Sequence, residues 1–212
     1  MSRTQSITLA AVVAIVAVSA GVLSARWLLR HQAAAQPVTT TATLIVPPRP
    51  VPPLTLVDQA NRPFDTQRLQ GSWTFVFFGF TSCPDVCPVT MAALAQTSKL
   101  LADLPEPARP QVVMISVDPE RDTPDRLATY VKAFDPAFIG ATGTKPAIDE
   151  LAQRMGVLAA TRPLDGGESY TVDHTTSLFL VGPDGTVRAL FSAPHEPEKI
   201  ADDYRRIAAA GT

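Results

Sequence analysis

The chain has 212 residues, 46% hydrophobic and 18% charged, with 20 prolines and two cysteines, which allows one domain of ordinary size plus appendages. Two cysteines exclude a disulfide-rich scaffold and a four-cysteine zinc site. The net charge of −2 divides unevenly, with Arg3, Arg26, Arg30, Arg49 and no acid in residues 1–53, and 14 basic against 20 acidic side chains in residues 54–212; an acidic domain without a basic run offers no footprint for nucleic acid.

The first element is an uncharged run of 22 residues, Thr4 to Ala25. At about 1.5 Å per residue a helix of that length spans roughly 33 Å, enough for a bilayer core, and Trp27 follows where an interfacial aromatic sits. Residues 1–30 therefore read as a single N-terminal transmembrane helix. The rival is a cleaved signal peptide using Ala33-Ala34-Ala35, but Arg26, Arg30 and His31 stand between the apolar run and that site, where a cleavage region is short and uncharged. Residues 31–53 carry six prolines between Pro37 and Pro53 and read as an extended, semi-rigid linker, unable to form a helix or an inner strand.

The folded part, residues 54–212, alternates strand and helix patterns. Ser72–Phe80 is a near-continuous apolar run, the pattern of a strand buried on both faces. A helix follows Pro88, with Met91, Leu94 and Leu101 in its apolar stripe. Gln111–Val117 is a second buried strand, and Thr123-Pro124-Asp125 opens a helix with a cap, a first-turn proline and an acid near the positive dipole end. Phe138–Ala141 is a short strand, and Thr144 to Met155 a helix stopped by Gly156. Val157–Thr161 returns as a strand. Thr175–Val181 and Thr186–Phe191 flank the hairpin signal Gly182-Pro183-Asp184-Gly185, and Pro197–Ala210 closes as a helix. This order predicts an α/β chain with a mixed sheet covered on both faces, a thioredoxin-like fold with an inserted hairpin or strand.

Both cysteines fall at the end of the strongest strand, in Thr81-Ser82-Cys83-Pro84-Asp85-Val86-Cys87-Pro88. Strand ends that feed helix N-termini are where open α/β sheets place their sites, and a helix N-terminus favours a thiolate. If the three intervening residues curl as one turn, both sulfurs point the same way and share one metal ion or close a small disulfide. Of the three histidines, His31 and His195 read as surface or satisfied core residues. His174, in Val172-Asp173-His174-Thr175, precedes a strand that the sheet order puts beside the cysteine turn. Two thiolates and one imidazole form a soft, low-coordinate set suited to copper, Cu(I) or Cu(II), one ion per chain; zinc wants a fourth ligand. Thioredoxin-type enzymes keep two residues between their cysteines and a cis-proline before the facing strand. Here there are three, and no proline lies from Leu164 through Gly182.

Four blocks then carry a family resemblance: F-F-G-F-T-S-C-P-D-V-C-P (77–88), I-S-V-D-P-E-R-D-T-P (115–124), L-A-T-Y-V-K-A-F-D-P-A-F-I-G-A-T-G (127–143) and V-D-H-T-T-S-L-F-L-V-G-P-D-G (172–185). Over roughly residues 50–208 the chain resembles the Sco/SenC proteins, membrane-anchored thioredoxin-like copper chaperones that help build the dinuclear copper centre of cytochrome c oxidase. The resemblance implies copper ligation by Cys83, Cys87 and His174, with Asp173 orienting the histidine ring and Asp85 and Asp118 tuning the site or meeting a partner. It implies a copper-accepting oxidase subunit as partner, with another periplasmic copper chaperone or a thiol reductant upstream. It also implies a bacterial inner-membrane location, with the domain in the periplasm. Ser82 stands where many relatives carry a larger polar or aromatic residue.

Two other functions fit parts of the pattern. A thiol–disulfide reductase keeping an acceptor's cysteines reduced would need Cys83 and Cys87 as a redox-active pair, but not His174. A peroxide-reducing or redox-sensing protein would pair Thr81 with Cys83 and need a nearby guanidinium, for which Arg121 is the candidate.

Overall fold

The structure is a computed structural model that describes residues 14–25, 37–164 and 170–211. It divides into two units, Met1–Pro37 and Val38–Thr212. In the first, residues 14–25 are helical and exposed, with Ser19 and Ser24 hydroxyls donating back to the carbonyls of Ile15 and Gly21. Among the described residues no helix is long and apolar enough to cross a membrane; the expected anchor extends at both ends beyond them.

The second unit is built on an eight-stranded sheet. Its strands are β1 (Ala42–Pro50), β2 (Leu56–Asp58), β3 (Pro63–Phe64), β4 (Thr74–Gly79), β5 (Gln111–Ser116), β6 (Ile139–Thr142), β9 (Leu178–Val181) and β10 (Thr186–Phe191). They lie in the order β1-β10-β9-β4-β5-β6-β2-β3. The helices are α1 (Val86–Leu100), α2 (Pro124–Lys132), α3 (Lys145–Met155) and α4 (Pro197–Ala210). Strands β7 (Ala159–Pro163) and β8 (Tyr170–His174) form a separate two-stranded ribbon.

The aromatic run sits where its composition demands. Successive strand side chains point to opposite faces, yet all six residues of β4 are buried, so the sheet is covered on both faces at this strand. β4 pairs in parallel with β5, from Thr74 opposite Gln111 to Gly79 opposite Ser116, and antiparallel with β9 on its other side. The Gly182–Gly185 turn joins β9 to β10 as an antiparallel hairpin, as expected. α2 and α3 start on Thr123 and Thr144, whose hydroxyls accept from the backbone N–H groups of Arg126 and Ala147. α3 stops at Gly156 in the left-handed conformation, φ 73°, which glycine adopts without steric cost.

Two expectations need correction. The proline-rich segment is not a free spacer throughout: Ala42–Pro50 is strand β1, antiparallel to β10 with a register shift between Leu44 and Arg49. Proline lacks the N–H for an inner ladder but is tolerated at an edge, and β1 is the edge. The folded unit thus begins at Val38, not at residue 54. The second correction concerns the strand expected over Thr175–Val181. Regular pairing starts at Leu178, while Tyr170–His174 pairs with β7 outside the main sheet, Ala159 opposite His174.

Candidate metal centre

The chain leaves the buried end of β4 through Gly79 and Phe80, turns over Thr81–Asp85, and enters α1 at Val86. Cys87 lies in the first turn of α1 and is fully buried; Cys83 lies in the turn before it and is half-buried. The Asp85 side chain at the N-cap makes no capping hydrogen bond. Instead the backbone N–H of Cys87 points at Cys83 Sγ, 3.5 Å away, so a sulfur takes the place that an oxygen usually fills at a helix start. Both cysteines are free thiols. Burial pushes the Cys87 thiol well above the ordinary range, so it is held neutral until a partner displaces its proton.

His174 ends β8. Its Nε2 is 3.4 Å from Cys87 Sγ, and its Nδ1 is 3.0 Å from the carbonyl oxygen of Thr175. A carbonyl only accepts, so Nδ1 carries the ring proton and Nε2 presents its lone pair to the sulfur, the tautomer a metal ligand needs. Burial, partly offset by the Thr175 hydrogen bond, lowers the basicity of His174 and favours this neutral ring. Phe77 and Phe80 meet the imidazole edge-on, with ring centroids 6.0 and 5.8 Å away.

The ligand atoms of Cys83, Cys87 and His174 all lie within 4.8 Å of one another, and no other His, Cys, Asp or Glu among the described residues joins the group. Two sulfurs and one imidazole nitrogen suit copper and fall one ligand short of an ordinary zinc site. Residues from two places in the sequence meet here because the end of the ribbon converges on the turn from β4 into α1.

Around these three groups runs a polar network that sequence reasoning only partly identified. Asp122, buried completely, accepts from the backbone N–H of Thr81 at 3.0 Å, the Thr81 hydroxyl at 2.6 Å and the Ser116 hydroxyl at 2.7 Å. It therefore fixes the start of the cysteine turn to the β5–α2 loop. Asp118 accepts from the Arg121 guanidinium and from the Tyr170 hydroxyl at 2.8 Å. Arg121 also donates to the Tyr170 carbonyl at 3.0 Å and lies 3.8 Å over the Tyr170 ring, which ties the ribbon to the same loop. Asp118 was expected; Asp122, Ser116 and Tyr170 were not. Asp118 and Asp122 frame one turn of the second sequence block, with the Asp122 N–H bonded to the Asp118 carbonyl, and that spacing was the available signal.

The remaining candidates fall elsewhere. Asp173 is exposed and ion-paired with Arg162 across the ribbon at 2.9 Å, so the Thr175 carbonyl, not Asp173, orients the His174 ring. Asp85 is exposed at the start of α1. Ser82 accepts from Arg126 at 2.9 Å. Arg121 donates to Asp118 and to the Tyr170 carbonyl, while its Nη2 is buried without a hydrogen-bond partner among the described residues. His31 lies outside the described residues. His195 is half-buried, with Nε2 2.9 Å from the Thr176 carbonyl.

Comparison with known proteins accords with this geometry. The SCO1/SenC family model matches residues 46–209. This chain belongs to the SCO1/SenC family. It is 42% identical over 148 residues to a Stutzerimonas stutzeri protein named for copper binding, covering 69% of this chain and 71% of that protein. It is 36% identical over 149 residues to the mitochondrial SCO1 homologue of Mus musculus, covering 70% of this chain and 52% of that one; the chain thus spans about half the length of this mitochondrial relative. The copper-bound structure of Arabidopsis thaliana ScoI superposes with a TM-score of 0.69 at 31% identity, over 74% of this chain and 98% of that one. The thioredoxin-type mixed α/β fold follows from these matches, and copper is the metal named for the Stutzerimonas stutzeri and Arabidopsis thaliana relatives.

Proposed function

We propose that the protein is a single-pass, membrane-anchored copper chaperone. It holds copper through Cys83, Cys87 and His174 and delivers it to the dinuclear copper centre of cytochrome c oxidase, from the periplasmic side of a bacterial inner membrane. The observation that carries this reading is the convergence of two free thiols and a correctly tautomerised imidazole within 4.8 Å. The uncharged Thr4–Ala25 run supports the anchor, and the family resemblance supports the acceptor. The protein acts in this reading as a carrier, not a catalyst, with copper as cargo. Half-exposed Cys83 is the sulfur an incoming acceptor ligand reaches first, whereas Cys87 and His174 are held from behind by Phe77, Phe80 and α1. Release then proceeds by exchange, one acceptor thiolate replacing one chain ligand at a time.

The test is a transfer assay: copper-loaded chain mixed with the reduced, metal-free copper-binding domain of an oxidase subunit. Copper appearing on the acceptor faster than it escapes to a chelator of equal affinity supports delivery; escape at the same rate to either contradicts it. A second reading, a thiol–disulfide reductase acting on the acceptor's cysteines, is favoured by the asymmetry of the pair. A half-exposed sulfur sits at a helix N-terminus beside a buried partner, the arrangement used by attacking and resolving thiols. Reductase turnover would survive His174→Ala, whereas metal loading by three ligands would not.

A further inference from the structure

Two histidines grip consecutive carbonyls in the segment that carries the metal-binding imidazole. His174 Nδ1 bonds the Thr175 carbonyl at 3.0 Å, and His195 Nε2, from the turn between β10 and α4, bonds the Thr176 carbonyl at 2.9 Å. Thr175–Ser177 belongs to neither β8 nor β9, so no strand ladder positions it. Thr175 is tied to Leu158, N–H to carbonyl at 2.9 Å and hydroxyl to N–H at 3.0 Å. At Thr176 the His195 ring provides the anchor.

The state of the His195 ring follows from its acceptor. A carbonyl accepts a hydrogen bond, so Nε2 bears the ring proton and Nδ1 is a bare lone pair; that atom is buried and has no hydrogen-bond partner among the described residues. Leaving a buried polar atom unsatisfied is destabilising, so the ring's own hydrogen bonding does not account for its place. What stands against that cost is its hold on the loop. Peptide units are rigid planes, and the Thr175 and Thr176 carbonyls belong to adjacent planes hinged at one Cα. Fixing the second plane restricts the first, which is the plane that orients His174.

We propose that His195 is a positioning residue of the metal centre: its Nε2–H holds the Thr176 carbonyl and thereby keeps His174 Nε2 aimed at the cysteine pair. The inference rests on the copper-binding reading of Cys83, Cys87 and His174 and adds a residue to it from a separate part of the chain. Burial lowers the basicity of His195, which favours the neutral ring.

The test compares the reduced full-length chain with His195→Leu, His195→Gln and His174→Ala, reading Cu(II) affinity by competition, nitrogen hyperfine coupling by pulsed EPR, and the melting of the metal-free protein. His195→Leu fills the space without a donor and is expected to weaken Cu(II) binding about tenfold and to broaden or diminish the imidazole coupling, the scale of lost outer-shell support. His195→Gln restores an N–H donor and is expected to recover most of the affinity. Equal losses in the Leu and Gln variants, or parental affinity and coupling in the Leu variant while His174→Ala binds weakly, would overturn the proposal. Parental affinity in His174→Ala would instead overturn the three-ligand site, and the positioning role with it. Should the Leu variant not fold, nitrogen chemical shifts of the unmodified protein decide: His195 protonated at Nε2 and bare at Nδ1 is required, and the opposite tautomer rules the tether out.

Discussion

Gly79 shows how closely the site is fitted at the scale of single residues. A Cβ added there would lie 2.6 Å from Phe77 Cε1 and 3.2 Å from Cys87 Sγ, inside a central strand whose backbone has no freedom to retreat. Gly79→Ala is therefore expected to cost about 1–3 kcal/mol of stability through overpacking, read as a lower urea midpoint of the metal-free protein, and to displace Cys87 Sγ. An unchanged midpoint would mean that the strand end yields. Asp122 makes the complementary case. Its three hydrogen bonds hold Thr81 and Ser116, and Asp122→Ala leaves those donors without their acceptor, a loss of about 1–3 kcal/mol for a buried unsatisfied group, with copper affinity falling as the turn relaxes. Cys83, Cys87 and His174 were legible in the sequence because a three-residue cysteine spacing at the end of an apolar strand, and a histidine just before another, are local signals. Asp122 was not, because a carboxylate gains its role only when the fold buries it beneath the turn.

The informative element is the β7–β8 ribbon, which presents His174 from outside the main sheet. Its β7 strand is exposed along its whole length, so little apolar burial holds it down. The contacts of Tyr170 with Asp118 and Arg121 serve as its latch at the end far from His174. Tyr170→Phe removes the hydroxyl bond while keeping the ring, and is expected to speed hydrogen exchange in β7 and β8 several-fold while leaving β4 and β5 unchanged, a local rather than global opening. Uniform acceleration in all four strands would show that the ribbon is not a separate unit. The sequence reading started the β9 strand early, at Thr175, and missed β8 for a physical reason: Tyr170–Val181 contains no glycine or proline to mark the break. The split appears in burial, with only Val172 buried in β8 but all of β9 buried, which depends on what each strand packs against. β4, β5 and the β9–β10 hairpin were read correctly because continuous apolar runs and a Gly-Pro-Asp-Gly turn are local signals.

For the whole molecule, the largest departure from expectation is that the proline-rich segment is part of the folded unit. Asp203 on α4, fully buried, accepts from the backbone N–H groups of Thr40, Thr41 and Ala42 at 2.7–2.9 Å and thereby clamps the entrance to β1. Burial alone would raise the Asp203 pKa, but the hydrogen bonds from Thr41, Ala42 and Thr40 outweigh it and hold the carboxyl below its ordinary value. A depressed folded pKa contributes stability that is complete above the unfolded value near 3.9 and is lost as pH falls through the folded one. Asp203→Asn should therefore narrow the difference in unfolding midpoint between pH 7 and pH 3; an undiminished difference would place the acid sensitivity elsewhere. A chain begun at residue 54 would lack β1 altogether and is expected to melt lower, because the β10 edge and the Asp203 carboxylate lose their partners. The two-thiol, one-imidazole centre remains the claim on which the functional account stands. The measurement that tests it most directly is the copper content of the reduced full-length chain beside its Cys83→Ser/Cys87→Ser form: the account predicts one copper per chain in the first and none in the second, and copper retained at one per chain without the thiols would contradict it.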